Sequence, residues 1–92
     1  MTEKALSNKA MAYLKGRSDL YAFRIEPGPF GGRGISDILI CKNGKFIAIE
    51  LKVGKNKPTK LQTHFQDKIR LHGGCAFVCY SMDEVIECLK RC

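Results

Sequence analysis

No apolar run in this chain is long enough to cross a bilayer, and no charged-then-apolar leader opens it. A soluble, unexported, cytoplasmic protein is therefore expected, with no membrane among its partners. Internal repeats and low-complexity tracts are missing too, so residues 1–92 are expected to form a single domain with one small core. Acidic residues are scarce, 9 against 16 Lys and Arg, which leaves a formal charge of +7. That deficit of negative charge suits a polyanionic partner such as nucleic acid.

Several familiar chemistries are also absent. His64 and His72 show no metal-ligand spacing and no matched nucleophile. The stretch 26–34, EPGPFGGRG, is a loop by its glycines and prolines but lacks the Gly-Lys-Ser/Thr ending of a P-loop. Its glycines allow close approach of the backbone to DNA or to a second subunit; a flexible linker is the plainer reading. The five cysteines are an odd number with no leader, so reduced thiols are expected. Cys75-x3-Cys79 and Cys88-x3-Cys92 invite a zinc site. However, one pair falls in an apolar strand and the other at a helix end, where cysteine serves as a small buried hydrophobe.

What is present is a regular succession of elements. Thr2 caps a helix that runs to Lys15 and ends at Gly16, with Leu6, Ala10, Tyr13 and Leu14 along its apolar stripe. A strand over 21–25 follows, then two hairpin strands over 36–41 and 45–52. Thr59 caps a second helix reaching His72, with Leu61, Phe65, Ile69 and His72 on one side and Gly73-Gly74 at its end. Residues 75–80 form a continuous apolar strand suited to a sheet interior. Ser81-Met82-Asp83-Glu84 is a capping box that opens a last helix to about Lys90. The order is α-β-β-β-α-β-α: an antiparallel hairpin extended by a strand that returns through a helical crossover.

The chemistry gathers around the hairpin. Asn43-Gly44 is a strong signal for a two-residue loop. It sets Lys42 opposite Lys45 and Cys41 opposite Phe46, with every later pair summing to 87. Asp37 and Glu50 sum to 87 as well. Side chains alternate along a strand, so Phe46, Ala48, Glu50 and Lys52 share one face with Asp37, while Ile47, Ile49 and Leu51 take the other. Directly opposed like charges destabilise a sheet, and a divalent cation is the simplest offset. Oxygen-only ligands suit magnesium or manganese with several waters retained. Lys52 would project beside the metal, where it could activate water or offset charge building on phosphate. The plainer alternative is a surface cluster in which Lys52 neutralises two exposed acids.

Two more residues point the same way. Glu3 lies within about 20 degrees of Ala10 and Leu14 at the helical repeat, and so aligns with the buried stripe. Its ordinary role is to meet the helix dipole. Gln62 lies on the Phe65 and Ile69 side, although Thr59-x-x-Gln62 is itself a capping box.

Taken together, the string GISDILICKNGKFIAIELK from Gly34 to Lys52, Thr59-x-x-Gln62 and the helix closed by Gly73-Gly74 resemble the VRR-NUC family. This is the virus-type replication-repair branch of the PD-(D/E)XK, restriction-endonuclease-like superfamily, and the likeness is to its small stand-alone phage and bacterial members. The resemblance implies an α/β fold: an αβββαβ core with a mixed central sheet flanked by helices, plus a C-terminal helix. It implies that Asp37, Glu50 and the main-chain carbonyl of Leu51 bind Mg2+ or Mn2+, with Glu3 acting through water. Lys52 would be the catalytic lysine, and Gln62 would match the family's helix glutamine. Ser36 stands where the family usually has proline, a position that shapes the backbone without ligating.

The activity so implied is a metal-dependent, structure-specific endonuclease acting on branched or duplex DNA, as a homodimer that cuts four-way junctions in a bacterial host. Arg33, Lys55, Lys57 and Lys60 could line a groove for phosphates and make affinity salt-dependent; a solvated face is their plainer role. Two alternatives stay open. One is a non-catalytic nucleic-acid-binding module. The other is a nuclease acting on flaps, RNA or non-specific substrates.

Overall fold

The structure is a computed structural model that describes residues 1–26 and 34–92. Its elements run α1 (Glu3–Lys15), β1 (Leu20–Arg24), β2 (Ile38–Lys42), β3 (Lys45–Leu51), α2 (Lys60–Leu71), β4 (Cys75–Cys79) and α3 (Met82–Arg91). This is the expected α-β-β-β-α-β-α order. Boundaries move by a residue or two, most visibly at β2, expected from Ser36 but starting at Ile38, so that Asp37 lies just outside it; β1 starts at Leu20 and ends before Ile25.

The hairpin forms as its turn dictates. Asn43 and Gly44 both hold positive φ, 52° and 82°, the pair of left-handed conformations a primed turn requires. Pairing follows from Lys42↔Lys45 to Ile38↔Ile49. β1 joins β2 antiparallel, and β4 joins β3 in parallel after the α2 crossover, which gives one mixed sheet in the order β1-β2-β3-β4.

Alternation then sorts the faces. Ile38, Ile40, Ile47, Ile49, Leu51 and Cys79 turn to one side and pack against Leu6, Ala10, Met11 and Leu14 of α1 and Val85, Cys88 and Leu89 of α3. Each such side chain contributes roughly 1.5–3 kcal/mol when fully buried. This is the main core. The opposite face is covered by α2, which lies over β4 and the adjoining part of β3.

Two expectations are corrected here. The second helix does not bury Leu61 and His72: Leu61 is 56% exposed and His72 is exposed as well. The buried residue is Gln66, whose Nε2 donates to the Phe77 carbonyl at 3.1 Å. α2 packs over the edge strand β4, where the Gln66 and Arg70 side chains reach main-chain carbonyls. The cysteines are not all reduced thiols either. Cys75 and Cys92 form a disulfide, because α3 runs back along β4 and sets the residue after its last turn beside the first residue of the strand. Cys41, Cys79 and Cys88 are free, and the last two are buried in contact at 4.0 Å. Among the described residues no group of three His, Cys, Asp or Glu could hold a metal ion. Nor is any described helix long and apolar enough to cross a membrane.

Candidate active site

The β2–β3 ladder ends at Ile38↔Ile49, and the candidate site begins one residue beyond. Asp37 is tied on both sides. Its carbonyl accepts from the Ile25 N–H at 2.8 Å, and its carboxylate Oδ2 accepts from the Leu51 N–H, also at 2.8 Å. The side chain therefore crosses from one hairpin strand to the backbone of the other, next to Glu50.

Glu50 sits on the central strand β3 and is only 1% exposed. Lys52, 9% exposed, brings its Nζ to 3.6 Å from Glu50 Oε2. The Lys52 N–H donates to the Cys79 carbonyl at 3.1 Å, so β4 fixes the lysine's backbone. Two acids and one ammonium group thus meet at the end of the hairpin, with Glu50 and Lys52 buried and Asp37 half-buried.

Burial, and then the nearby Asp37 carboxylate, push Glu50 up to about 8; Lys52 pulls it back only in part. Glu50 Oε1 is buried with no hydrogen-bond partner among the described residues. An orphaned carboxylate oxygen beside a second carboxylate is a costly arrangement for a protein alone. It is the arrangement that a bound cation relieves. The donors are all oxygen, so the residues fit a hard ion such as Mg2+ or Mn2+. Among the described residues no group of three such ligands forms, so such an ion would rest on Asp37 and Glu50, completed by water and a main-chain oxygen.

The remaining site residues fall as follows. Glu3, in the first turn of α1, is half-buried and lines a cavity of about 350 Å3 together with Asp37 and Leu51. That placement is compatible with a role through water. Gln62 is half-buried, and its Oε1 accepts from the Thr59 N–H at 2.8 Å while Thr59 Oγ1 accepts from the Gln62 N–H. Its side-chain oxygen is thus occupied by the capping box. Lys55, Lys57 and Lys60 are exposed on the segment leading from β3 into α2. Arg33 lies outside the described residues.

One neighbour was not singled out from the sequence: Gln66, since nothing in a helical repeat signals that a glutamine will be buried. Gly34, the first residue of the matched string, has a structural role. At φ +78° it packs against the first turn of α2, where an added Cβ would meet the Leu61 Cβ at 2.9 Å and its carbonyl carbon at 3.0 Å. At Gly34 the close approach is to the protein's own helix; the rest of the glycine-rich loop, 27–33, lies outside the described residues. Ser36 is 1% exposed, and its Oγ has no hydrogen-bond partner among the described residues.

No protein-family model matches the sequence, and no curated protein matches it. Among solved structures the chain is similar to a VRR_NUC domain protein, at a TM-score of 0.79 and 21% identity. The match covers 99% of this chain and 87% of the other. The chain therefore has the restriction-endonuclease-like fold of a VRR-NUC domain.

Proposed function

We propose that this protein is a metal-dependent, structure-specific DNA endonuclease that works as a homodimer on four-way junctions. The observation that carries this reading is the cluster at the hairpin end: buried Glu50 with an orphaned oxygen, half-buried Asp37 beside it and Lys52 Nζ at 3.6 Å. Burial and the neighbouring Asp37 push the Glu50 carboxyl toward neutrality, and strongly perturbed groups cluster at functional sites.

Asp37 and Glu50 would hold Mg2+ or Mn2+, with the Leu51 carbonyl as a further ligand and Glu3 acting through water. When bound, the ion supplies Lewis-acid polarisation of a phosphoryl oxygen and an acidified water. Lys52 orients the attacking water or stabilises charge growing on the phosphate, and its burial strengthens either effect. Asp37 and Leu51 keep the two strands in register so that the two carboxylates stay together. Lys55, Lys57 and Lys60 bind backbone phosphates next to the site, which makes affinity fall with salt. A two-fold pair of such domains presents two sites to strands of like polarity.

A second reading has one observation in its favour. No group of three His, Cys, Asp or Glu among the described residues could hold a metal ion, as in a binding module that keeps the fold and has lost turnover.

The test uses labelled linear duplex, flap, four-way junction and single strand, with magnesium, manganese or chelator, beside Lys52→Ala and Glu50→Gln. Metal-dependent nicking of the junction is expected, abolished by either substitution while binding survives. Binding without cleavage under every metal would establish the module instead, and preferred cutting of RNA or flaps would reassign the substrate.

A further inference from the structure

The cysteines of β4 and α3 form two nested pairs. Counting inward by four residues from each end of the Cys75–Cys92 disulfide reaches Cys79 and Cys88. Their sulfurs lie 4.0 Å apart, and the Cys79 thiol donates toward the Cys88 sulfur. The Cys88 thiol in turn donates to the Val85 carbonyl at 3.0 Å. The outer disulfide ties the strand to the helix and so keeps the inner sulfurs within reach of each other.

Thiols sealed in a core are inert, but this pair is not sealed. A cavity of about 250 Å3 lies against it, lined by both cysteines and by Glu84, Glu87 and Arg91. That space has room for a molecule of a few atoms and none for a peptide disulfide.

We infer that Cys79 and Cys88 are a dithiol oxidised by hydrogen peroxide, and that closing their bond switches off the site at Lys52 through the Cys79 carbonyl. The switching half rests on the nuclease reading above; the oxidation half does not.

The reaction needs no cofactor. The Cys88 sulfur attacks one peroxide oxygen, the O–O bond breaks, and a sulfenic acid forms as the first water leaves. The Cys79 sulfur then attacks the Cys88 sulfur, the S–O bond breaks, and the hydroxide departs with the Cys79 proton as a second water. Two thiols have given up two electrons, and one peroxide has been reduced to two waters. The bond that Cys79 already directs at Cys88 is the geometry of a resolving thiol beside an attacking one.

Bonded sulfurs lie about 2.05 Å apart, so closure draws this pair together by about 2 Å. In a close-packed interior such a shift passes to the backbone. Cys79 is the last β4 residue paired with β3, opposite Leu51, and its carbonyl accepts from the Lys52 N–H at 3.1 Å. Displacement there reaches the lysine through one hydrogen bond.

The test uses the full chain carrying Cys41→Ser, which removes the exposed thiol. Treated with hydrogen peroxide, then denatured and alkylated, it should lose both remaining thiols together and yield a Cys79–Cys88 linked peptide, with circular dichroism unchanged. Oxidised glutathione should react at least about 10-fold more slowly for want of access. With Cys79→Ala added, Cys88 should stop at the sulfenic acid and be captured by dimedone. With Cys88→Ala added, Cys79 should take up none. In the closed form, freed of peroxide, the Lys52 amide resonance should move and junction nicking in Mg2+ should fall at least about 10-fold. The Cys88→Ala chain should nick as before and ignore peroxide. Thiols that stay alkylatable, or that are lost as sulfinic acid without a link, overturn the inference. A closed bond that leaves the Lys52 amide in place, or an active chain's nicking undiminished, overturns the switch. A chain that closes the bond and moves the amide, yet nicks nothing in either form, overturns the nuclease reading and leaves the dithiol standing.

Discussion

The Leu51 N–H donates to Asp37 Oδ2 at 2.8 Å, so the carboxylate of one hairpin strand is anchored by the backbone of the next, beside Glu50. This bond keeps two acids together that would otherwise repel each other. Asp37→Ala removes the acceptor and leaves a backbone N–H at the seam without its partner, a loss of roughly 1–3 kcal/mol. Asp37→Asn keeps an oxygen for that N–H and removes only the charge. We expect Asp37→Asn to melt close to the native protein and to lose cleavage, whereas Asp37→Ala loses both. Equal stability of the two variants in thermal denaturation would show that the bond holds nothing.

Glu50 predicts a pH dependence with a definite sign. Its carboxyl is raised to about 8 in the folded chain, by burial first and then by Asp37. In the unfolded chain it titrates in the ordinary carboxylate range. Between those values the folded state holds a proton that the unfolded state has released, so stability falls as pH rises from about 4.5 to about 8 and then levels off. In chelator the contribution of this group should lower the melting temperature by at least about 5 °C across that window. Glu50→Gln should flatten it. Added Mg2+ or Mn2+ should restore the native protein, but not the variant, at the alkaline end. A native profile that matches Glu50→Gln would mean that Glu50 is ionised throughout.

Lys52 opposes the rise at Glu50, which separates it from a lysine that merely neutralises a surface. In Lys52→Ala the Glu50 carboxyl should titrate at higher pH than in the native chain, followed by side-chain carboxyl NMR in chelator. Cleavage should fall by at least about 100-fold. A titration unmoved by the substitution would place the ammonium too far away to act on Glu50.

Why the hairpin was legible and α2 was not follows from what each depends on. Asn43 and Gly44 fix φ locally, and the period of two then sets the register as far as Ile38↔Ile49. The ladder stops one residue short of Asp37 and Glu50, and Asp37 is held instead by its side-chain bond to the Leu51 N–H. The orientation of α2 depends instead on Gln66 reaching the Phe77 carbonyl across the chain, a contact with no periodic trace. Helical spacing therefore favoured Leu61 and His72, both of which are exposed. Gln62 shows the same limit: one pattern served for a site residue and for a capping box, and its oxygen is in the box. The Cys75–Cys92 disulfide was missed because an argument from compartment says nothing about which residues the fold brings together.

Gly34 gives a test of how α2 is seated. Its φ of +78° already strains any other residue, and an added methyl would meet Leu61 side chain and backbone at 2.9–3.0 Å. Backbone is hard to displace, so Gly34→Ala should cost about 1–3 kcal/mol. Gly44→Ala has a comparable φ of +82° but open space around it, and should show the conformational part alone. The difference between the two melting temperatures measures the steric contact with α2. If they coincide, Gly34 does not seat the helix.

The Cys75–Cys92 disulfide closes a loop with a sequence separation of 17, and a cross-link over that span stabilises by about 3 kcal/mol through the entropy it removes from the unfolded chain. It ties the end of α3 to the start of β4, whose far end holds the Lys52 backbone through the Cys79 carbonyl. Reduction should therefore lower the melting temperature by more than about 10 °C without unfolding the protein at room temperature. Cys75→Ser/Cys92→Ser should melt where the reduced native chain does, and should not respond to reductant. The buried Cys79 and Cys88 thiols, 4.0 Å apart, remain in that variant and act as its internal control. If it stays as sensitive to reductant as the native chain, the stabilising bond is Cys79–Cys88 instead.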